Sequence, residues 1–209
     1  MFESTMFVGM DVHKESIEIA LAPYGSGEVR HYGRVAGDLD AVDKFISRLR
    51  KTHPKLDFVY EAGPCGYALH RHLRRKGFAC SVVAPSMIPK RPGDRIKTDR
   101  RDAMALARLH RAGDLTAVFV PGPEDESIRD ISRAREDAML ALKRTRQQLG
   151  ALLLRQNIRY PSKSTWTLAH QRWMAHIKMP LPAQQVVFQE YMHAVEEAHQ
   201  RVERLTDQI

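Results

Sequence analysis

Hydrophobic and polar positions in the first part of the chain follow the periods of strands. Residues 6–12 form an apolar run that ends at Asp11, which predicts a buried strand. Residues 16–23 alternate apolar and polar side chains, and residues 28–36 follow the turn Gly25-Ser26-Gly27 as a third strand. Because the connections are short, the pattern predicts an antiparallel meander.

The pattern then alternates between helical and strand periods up to residue 120. Asp38 is a suitable N-cap for the first helix. The predicted elements are a helix at 39–51, a strand at 57–61, a helix at 67–76, a strand at 79–84, a helix at 98–112 and a further strand at 116–120. The Pro-rich, basic segment 85–98 predicts an exposed, mobile loop. This order predicts an α/β fold, a mixed sheet with helices on its faces.

The character of the sequence changes after Pro121-Gly122-Pro123. Two long helical segments carry apolar residues at three- and four-residue spacing, which is the coiled-coil pattern. They are Ile128, Ile131, Ala138, Leu142, Leu149 and Leu152, and then Phe188, Tyr191, Val195, Ala198, Val202, Leu205 and Ile209. We therefore expect a first domain over 1–122 and an α-helical coiled-coil hairpin over 123–209. The seam is consistent with a dimer and equally with two helices packing within one chain.

Net charge is +8, and the basic residues are concentrated in one segment. Residues 66–112 hold 12 Lys/Arg against 3 Asp/Glu, residues 1–65 hold 8 against 10, and residues 113–209 hold 13 against 12. Such a segment favours contact with a polyanion, although a solvated basic surface is the ordinary alternative. Two cysteines make no zinc pattern or disulfide framework, and no signal peptide or membrane-spanning run is present, so we expect a cytoplasmic location.

Four acidic residues stand where the predicted fold would bring them together. Asp11 and Glu61 end two predicted strands, and strand ends of this kind share one edge of a sheet. Asp99 and Asp102 lie at the start of a predicted helix, three residues apart and therefore on the same face of that helix. Gathered carboxylates repel one another unless a cation neutralises them, and hard oxygen ligands suit Mg²⁺ or Mn²⁺. We expect Asp11 to bridge two ions, Glu61 and Asp99 to hold one each, and Asp102 to complete the site or position the nucleophile.

Basic side chains beside these acids are candidate phosphate contacts: Lys14, Arg91, Arg95, Lys97, Arg100 and Arg101. His13 could also touch phosphate, but a surface role is the ordinary one. Each acid has an ordinary role as well. Asp11 could cap a turn, Glu61 could be a loop acid, and Asp99 could be the N-cap of its helix.

Three ordered motifs carry a family resemblance. They are G-M-D-V-H-K at 9–14, Y-E-A-G-P-C-G-Y at 60–67 and K-T-D-R-R-D-A at 97–103. Together with the later R-Y-P and W-T segments and the final helical region, they resemble the DEDD transposases of bacterial insertion sequences, the one-ten family. The resemblance covers essentially the whole chain.

The resemblance implies an RNase H-like, RuvC-like N-terminal domain with Asp11, Glu61, Asp99 and Asp102 as its metal-binding and catalytic tetrad. It also implies DNA recombination directed by a structured guide RNA, and dimers or tetramers formed through the coiled coil. The family's further domain, with a serine nucleophile, has no counterpart in these residues. We therefore expect a bacterial transposase fragment that binds metal, DNA and RNA.

Two other functions fit the same residues. One is a RuvC-like nuclease that resolves DNA junctions, and the other is a nucleic-acid-binding, oligomerising module without catalysis. A sugar-kinase or actin-like ATPase is disfavoured, because His13-Lys14-Glu15 stands where a small Gly/Thr turn is needed.

Overall fold

The structure is a computed structural model that describes residues 5–89 and 98–209. The chain forms two compact units, Met1–Val120 and Pro121–Ile209. The first contains β1 (Met6–Val12), β2 (Ser16–Pro23), β3 (Arg30–Ala36), α1 (Leu39–Leu49), β4 (Leu56–Glu61), α2 (Ala68–Arg75), β5 (Ala79–Val83), a 3-10 turn (Pro85–Met87) and α3 (Asp99–Ala112). The second contains α4 (Pro123–Arg155), α5 (Leu168–Ala175) and α6 (Pro182–Thr206).

One mixed sheet of five strands organises the first unit, in the order β3-β2-β1-β4-β5. The strands β1, β2 and β3 pair antiparallel, whereas β4 is parallel to β1 and β5 is parallel to β4. An antiparallel meander extended by two parallel strands, with helices against it, is the RNase H-like arrangement. The predicted fold class is therefore confirmed.

Local signals placed most element boundaries correctly. The carboxylate of Asp38 caps α1 by accepting a hydrogen bond from the Ala41 N–H at 2.8 Å. The predicted strand at 116–120 is wrong, because Ala117 forms an isolated bridge to Val83 and the Val118 N–H donates to the Val82 carbonyl without a continuing ladder. Val118 and Val120 instead pack against the main core, so their apolar pattern reflects burial and not strand pairing. The predicted loop begins with the 3-10 turn, and its residues 90–97 lie outside the described residues.

The two faces of the sheet bury different side chains, as strand alternation requires. Even-numbered positions of β1 (Met6, Val8 and Met10) share a large core with α1 and α2. The opposite face receives α3. Where α3 meets β2, this face buries alanines: Ala20, Ala22, Ala103 and Ala107. Towards β4 and β5 it buries the larger side chains Val59, Val83 and Leu106, so small side chains line only one part of it.

Small side chains allow α3 to lie very close to the sheet at Gly9. A Cβ at this position would collide with the carbonyl oxygen of Ala103 and the backbone nitrogen of Ala107, and would lie 2.9 Å from the Ala107 Cα. These neighbours are backbone atoms, which cannot move aside as a flexible side chain can. Gly9 therefore fixes the distance between α3 and β1.

The second unit is an antiparallel helical hairpin. Arg135 near the start of α4 donates a hydrogen bond to Thr206 at the end of α6, while Gln184 at the start of α6 donates to Gln156 at the end of α4. Leu142, Leu149, Phe188 and Val195 are buried between the helices. Within the described part of the chain, no helix is long and apolar enough to cross a membrane.

Not all of the predicted seam is buried in this pairing. Ile128 is 57% exposed and Ile209 is 66% exposed. Packing within one chain therefore accounts for the middle of the seam, where Ala138, Leu142, Leu149 and Leu152 are buried.

Aromatic side chains order the connector between α4 and α6. The rings of Tyr160, Trp166 and Trp173 surround His170, with centroid distances of 4.7 to 5.5 Å. The N–H of Trp166 donates to Nδ1 of His170 at 3.2 Å, which requires that nitrogen to be unprotonated. Burial lowers the pKa of His170 from its ordinary value, in agreement with a neutral ring.

We expect Gly9→Ala to destabilise the first unit by about 1–3 kcal/mol, because the added methyl group overpacks a contact with backbone. Thermal unfolding measures the effect. The control is Gly150→Ala, on α4, where a Cβ meets nothing within 4 Å. Alanine is the better helix former by about 1 kcal/mol, so the control should unfold at a slightly higher temperature. Equal melting of Gly9→Ala and the unmodified chain would contradict the close contact.

We expect the hairpin to lose stability as the pH falls below the ordinary histidine value of 6.5. His170 has a lowered pKa when folded, so the unfolded chain binds more protons in acid, and the stabilisation is complete only above that value. His170→Asn keeps an acceptor near the Nδ1 position but does not titrate. Its melting temperature should therefore change less between pH 7 and 5. The matched variant His176→Asn, at an exposed position, should behave like the unmodified chain.

Candidate metal centre

A row of charged residues crosses the sheet near the carboxyl end of β1. Asp11 pairs with Glu18 on β2, and Glu18 pairs with Arg34 on β3. Directly paired residues project from the same face of a sheet. On the other side of β1 the parallel ladder includes Met10 with Tyr60, so Glu61 follows at the level of Asp11. The row faces α3, because Gly9 and Asp11 are two residues apart on one strand.

The first turn of helix α3 adds the carboxylates of Asp99 and Asp102 to this row. Thr98 is its N-cap, and its hydroxyl oxygen accepts from the Arg101 N–H at 3.3 Å. The alternative role of Asp99 as the N-cap is therefore wrong. Asp99 and Asp102 both lie in the first turn, where the helix dipole favours negative charge.

Among the described residues, Asp11, His13 and Asp99 form a compact group of possible metal ligands. One ligand atom from each can be chosen so that all three lie within 4.8 Å of one another. Nε2 of His13 lies 3.2 Å from Oδ2 of Asp11 and 3.7 Å from Oδ1 of Asp99. Two carboxylates from separate elements and an imidazole are donors that Mg²⁺ or Mn²⁺ accepts, with the carboxylates preferred.

A second group holds Arg34 beside this site. Glu18 is buried and lies 2.6 Å from both Nε2 of His31 and Nε of Arg34. The guanidinium of Arg34 also lies 3.7 Å from Oδ2 of Asp99. A buried anion thus fixes a partly exposed cation next to the carboxylate group.

The pKa values of the two acids on the row shift in opposite directions. Burial raises the pKa of Asp11, the hydrogen bond and charge of His13 oppose the rise, and the charges of Asp99 and Asp102 add to it. Burial also acts to raise the pKa of Glu18, but hydrogen bonds from His31 and Arg34 outweigh it and hold that pKa below its usual range. The negative charges of Asp99 and Asp102 therefore act on Asp11, whereas the negative charge of Glu18 is compensated by His31 and Arg34.

The predicted acids are not all equally close. Asp11 and Asp99 come together, and Asp102 is near enough for its charge to act on Asp11. Glu61 is half-buried at the end of β4, outside the group of three ligands. Because its placement is not tested by any contact, its role as a metal ligand stays a prediction.

The predicted phosphate contacts are exposed where they are described. Lys14 is 91% exposed and pairs with Glu15 at 3.3 Å, while Arg100 and Arg101 are exposed on the first turn of α3. Arg91, Arg95 and Lys97 lie outside the described residues.

The sequence did not single out Glu18, His31 and Arg34, and it gave His13 a possible phosphate contact or a surface role but no place among the metal ligands. Glu18 stands between Ile17 and Ile19 in a strand pattern, which is the position of an ordinary polar residue. Only the register that pairs Glu18 with Arg34 shows that the acid is buried beneath a cation.

Comparison with known proteins adds the family. Residues 8–158 match the family model of the IS110-type DEDD transposases, which is described as a transposase. The chain belongs to this transposase family. It is 45% identical over 190 residues to protein y4qE of Sinorhizobium fredii, covering 90% of this chain and 49% of that protein. It is also 36% identical over 207 residues to the transposase for insertion sequence element IS1533 of Leptospira borgpetersenii, covering 98% of this chain and 60% of that protein.

Thermus thermophilus RuvC is among the similar solved structures, with 13% identity and a TM-score of 0.37. The match covers 54% of this chain and 99% of that one. The IS110-family chain spans about half of y4qE and three fifths of the IS1533 transposase.

We expect Asp11→Asn to raise the melting temperature of the metal-free protein at neutral pH. The folded pKa of Asp11 is raised, so its favourable contribution is present in acid and is lost as the pH rises through that pKa. Removing its charge relieves repulsion from Asp99 and Asp102. Thermal unfolding in EDTA measures this change, with exposed Glu15→Gln as the control. A lower melting temperature for Asp11→Asn would contradict this electrostatic description.

Proposed function

We propose that this chain is the metal- and nucleic-acid-binding part of a DNA transposase that moves an insertion sequence. The observation that carries the proposal is the convergence of Asp99 and Asp102, from α3, on Asp11 at the end of β1. Membership of the transposase family supports the same conclusion. In this proposal residues 1–122 form the RNase H-like DEDD domain and residues 123–209 form the helical region.

Asp11, Glu61, Asp99 and Asp102 would hold Mg²⁺ or Mn²⁺ in this proposal. The metal would activate a water or hydroxyl and stabilise the leaving oxygen of a phosphodiester. The donor chemistry fits, because repulsion among Asp11, Asp99 and Asp102 is relieved by a bound cation. His13 either joins the ligands or orients Asp11 through its 3.2 Å contact.

The chain's own cations would position the nucleic acid. Arg100 and Arg101 are exposed on the same turn as Asp99, so they can contact phosphates close to the carboxylates. We assign the same role to exposed Lys14 and, from sequence alone, to Arg91, Arg95 and Lys97. The partners are DNA and a structured guide RNA, in the cytoplasm of a bacterium.

We further propose that the helical region joins copies of the chain into a dimer or tetramer as a coiled coil. Apolar side chains that the hairpin leaves exposed, such as Ile128, Leu140 and Leu154, support this assignment. Size measurement by light scattering tests it.

The metal-dependent part of the proposal is tested by binding to a four-way DNA junction. We expect Mn²⁺ to strengthen binding by the unmodified chain relative to EDTA, because the metal neutralises the carboxylates beside the phosphate. Asp11→Asn should lose this Mn²⁺ response, whereas Glu15→Gln should keep it. Electrophoretic mobility shift at fixed ionic strength measures both. An equal Mn²⁺ response in Asp11→Asn would defeat the proposed centre.

The same experiment separates the competing functions. Metal-dependent cleavage of the junction by this chain would favour a junction-resolving nuclease. Junction binding that ignores both the metal and Asp11→Asn would favour a non-catalytic binding module.

A further inference from the structure

Charge in the second unit is segregated along the chain. Residues 138–189 contain eight Lys/Arg and no Asp/Glu. The preceding residues 121–137 contain three basic and six acidic residues, and residues 190–209 contain two and five. A count over the whole unit hides this division, because the acidic segments nearly cancel the basic one.

The antiparallel pairing of α4 and α6 turns this division into two ends. The contact between Arg135 and Thr206 brings the two acidic segments together, and the contact between Gln156 and Gln184 marks the opposite end. We call the second of these the basic end. Its cations are Arg155, Arg159, Lys163, Arg172 and Lys178. By the same register, Lys143, Arg144 and Arg146 lie nearer the middle of α4, level with Glu196 and Glu197 of α6.

All five cations are exposed. Among the described residues, none of the five forms an ion pair with a carboxylate. At the acidic end, by contrast, Arg133 pairs with Asp130 at 2.9 Å and His199 lies 3.6 Å from Glu203. Ion pairing within the hairpin therefore does not explain the basic end, and its positive field is directed to solvent.

The basic end is a folded surface and not a loose tail. The guanidinium of Arg146 lies 4.7 Å from the centre of the Trp166 ring, and the aromatic cluster around His170 holds the connector. Arg155 is the last residue of α4 and Arg172 lies on α5, so two of the five cations are carried by helices. Cations on ordered elements lose little freedom when they bind a regular array of phosphates.

We propose that the basic end is a second nucleic-acid-binding surface, which binds the phosphate backbone independently of the metal centre. Arginine side chains suit this ligand, because a guanidinium donates two parallel hydrogen bonds to a phosphate. The proposal rests on the proposed function only in taking nucleic acid as the partner. The surface itself contains none of the carboxylates of the candidate centre.

The test compares two triple variants that remove the same charge from different ends. Arg155→Gln, Arg159→Gln and Lys163→Gln change the basic end, and Arg129→Gln, Arg133→Gln and Arg204→Gln change exposed positions of the acidic end. Fluorescence anisotropy measures binding to a DNA duplex and an RNA duplex of the same length. EDTA is present throughout, so the metal centre does not contribute. Circular dichroism checks that both variants keep their helices.

We expect the basic-end variant to bind at least about tenfold more weakly than the unmodified chain, and the acidic-end variant to bind within about twofold of it. On DNA, the slope of log affinity against log salt should fall by about 0.9 for each lost phosphate contact. Tighter binding of RNA would assign the surface to a guide, and tighter binding of DNA would assign it to the substrate; either supports the proposal.

If both variants bound the duplexes equally weakly, the loss of affinity would follow from net charge alone, and the proposal would be overturned. Unchanged nucleic-acid binding by the basic-end variant would also overturn the proposal. So would a variant that no longer self-associates but still binds nucleic acid, because the basic end would then bind the acidic end of another copy of the chain. The basic-end variant should keep the Mn²⁺ response of junction binding, because its substituted residues lie outside the candidate metal centre. Failure of this surface and failure of the metal centre are therefore distinguishable.

Discussion

The contact between α3 and β1 is the constraint on which the candidate centre depends. Gly9 leaves no room for a side chain against the backbone of Ala103 and Ala107, and the neighbouring core is made of alanines. A helix can approach a sheet this closely only where both surfaces are small. The first turn of α3 is consequently carried to the end of β1, and Asp99 lies beside Asp11.

Such an approach concentrates negative charge, and the surrounding residues respond to it. Burial and the charges of Asp99 and Asp102 raise the pKa of Asp11, while His13 opposes the rise. Glu18 is different, because His31 and Arg34 surround it and lower its pKa. The fold therefore compensates the charge of the acid that anchors Arg34 but leaves the negative charges around Asp11 only partly compensated. This contrast connects the packing of α3 to the metal binding proposed for this chain.

Local periodicity was sufficient to predict the five strands of the sheet and every helix except α5, because alternation and capping are properties of neighbouring residues. It was insufficient at 116–120, where the apolar run looked like a strand but forms an isolated bridge from Ala117 to Val83. Of the four predicted acids, Asp11 and Asp99 lie together, whereas the metal role of Glu61 stays a prediction. The link from Glu18 to Arg34 and Asp99 depends on strand register and on the depth of α3, which no local pattern contains. The basic end was missed for a different reason, since charge had been averaged over 113–209.

A crystal structure with Mn²⁺, read by anomalous scattering at the manganese edge, shows whether these carboxylates share a metal ion. The proposed metal centre requires manganese between the carboxylates of Asp11 and Asp99, with Glu61 and Asp102 completing its surroundings. Manganese bound elsewhere, or four carboxylates too far apart to share one or two ions, would contradict it.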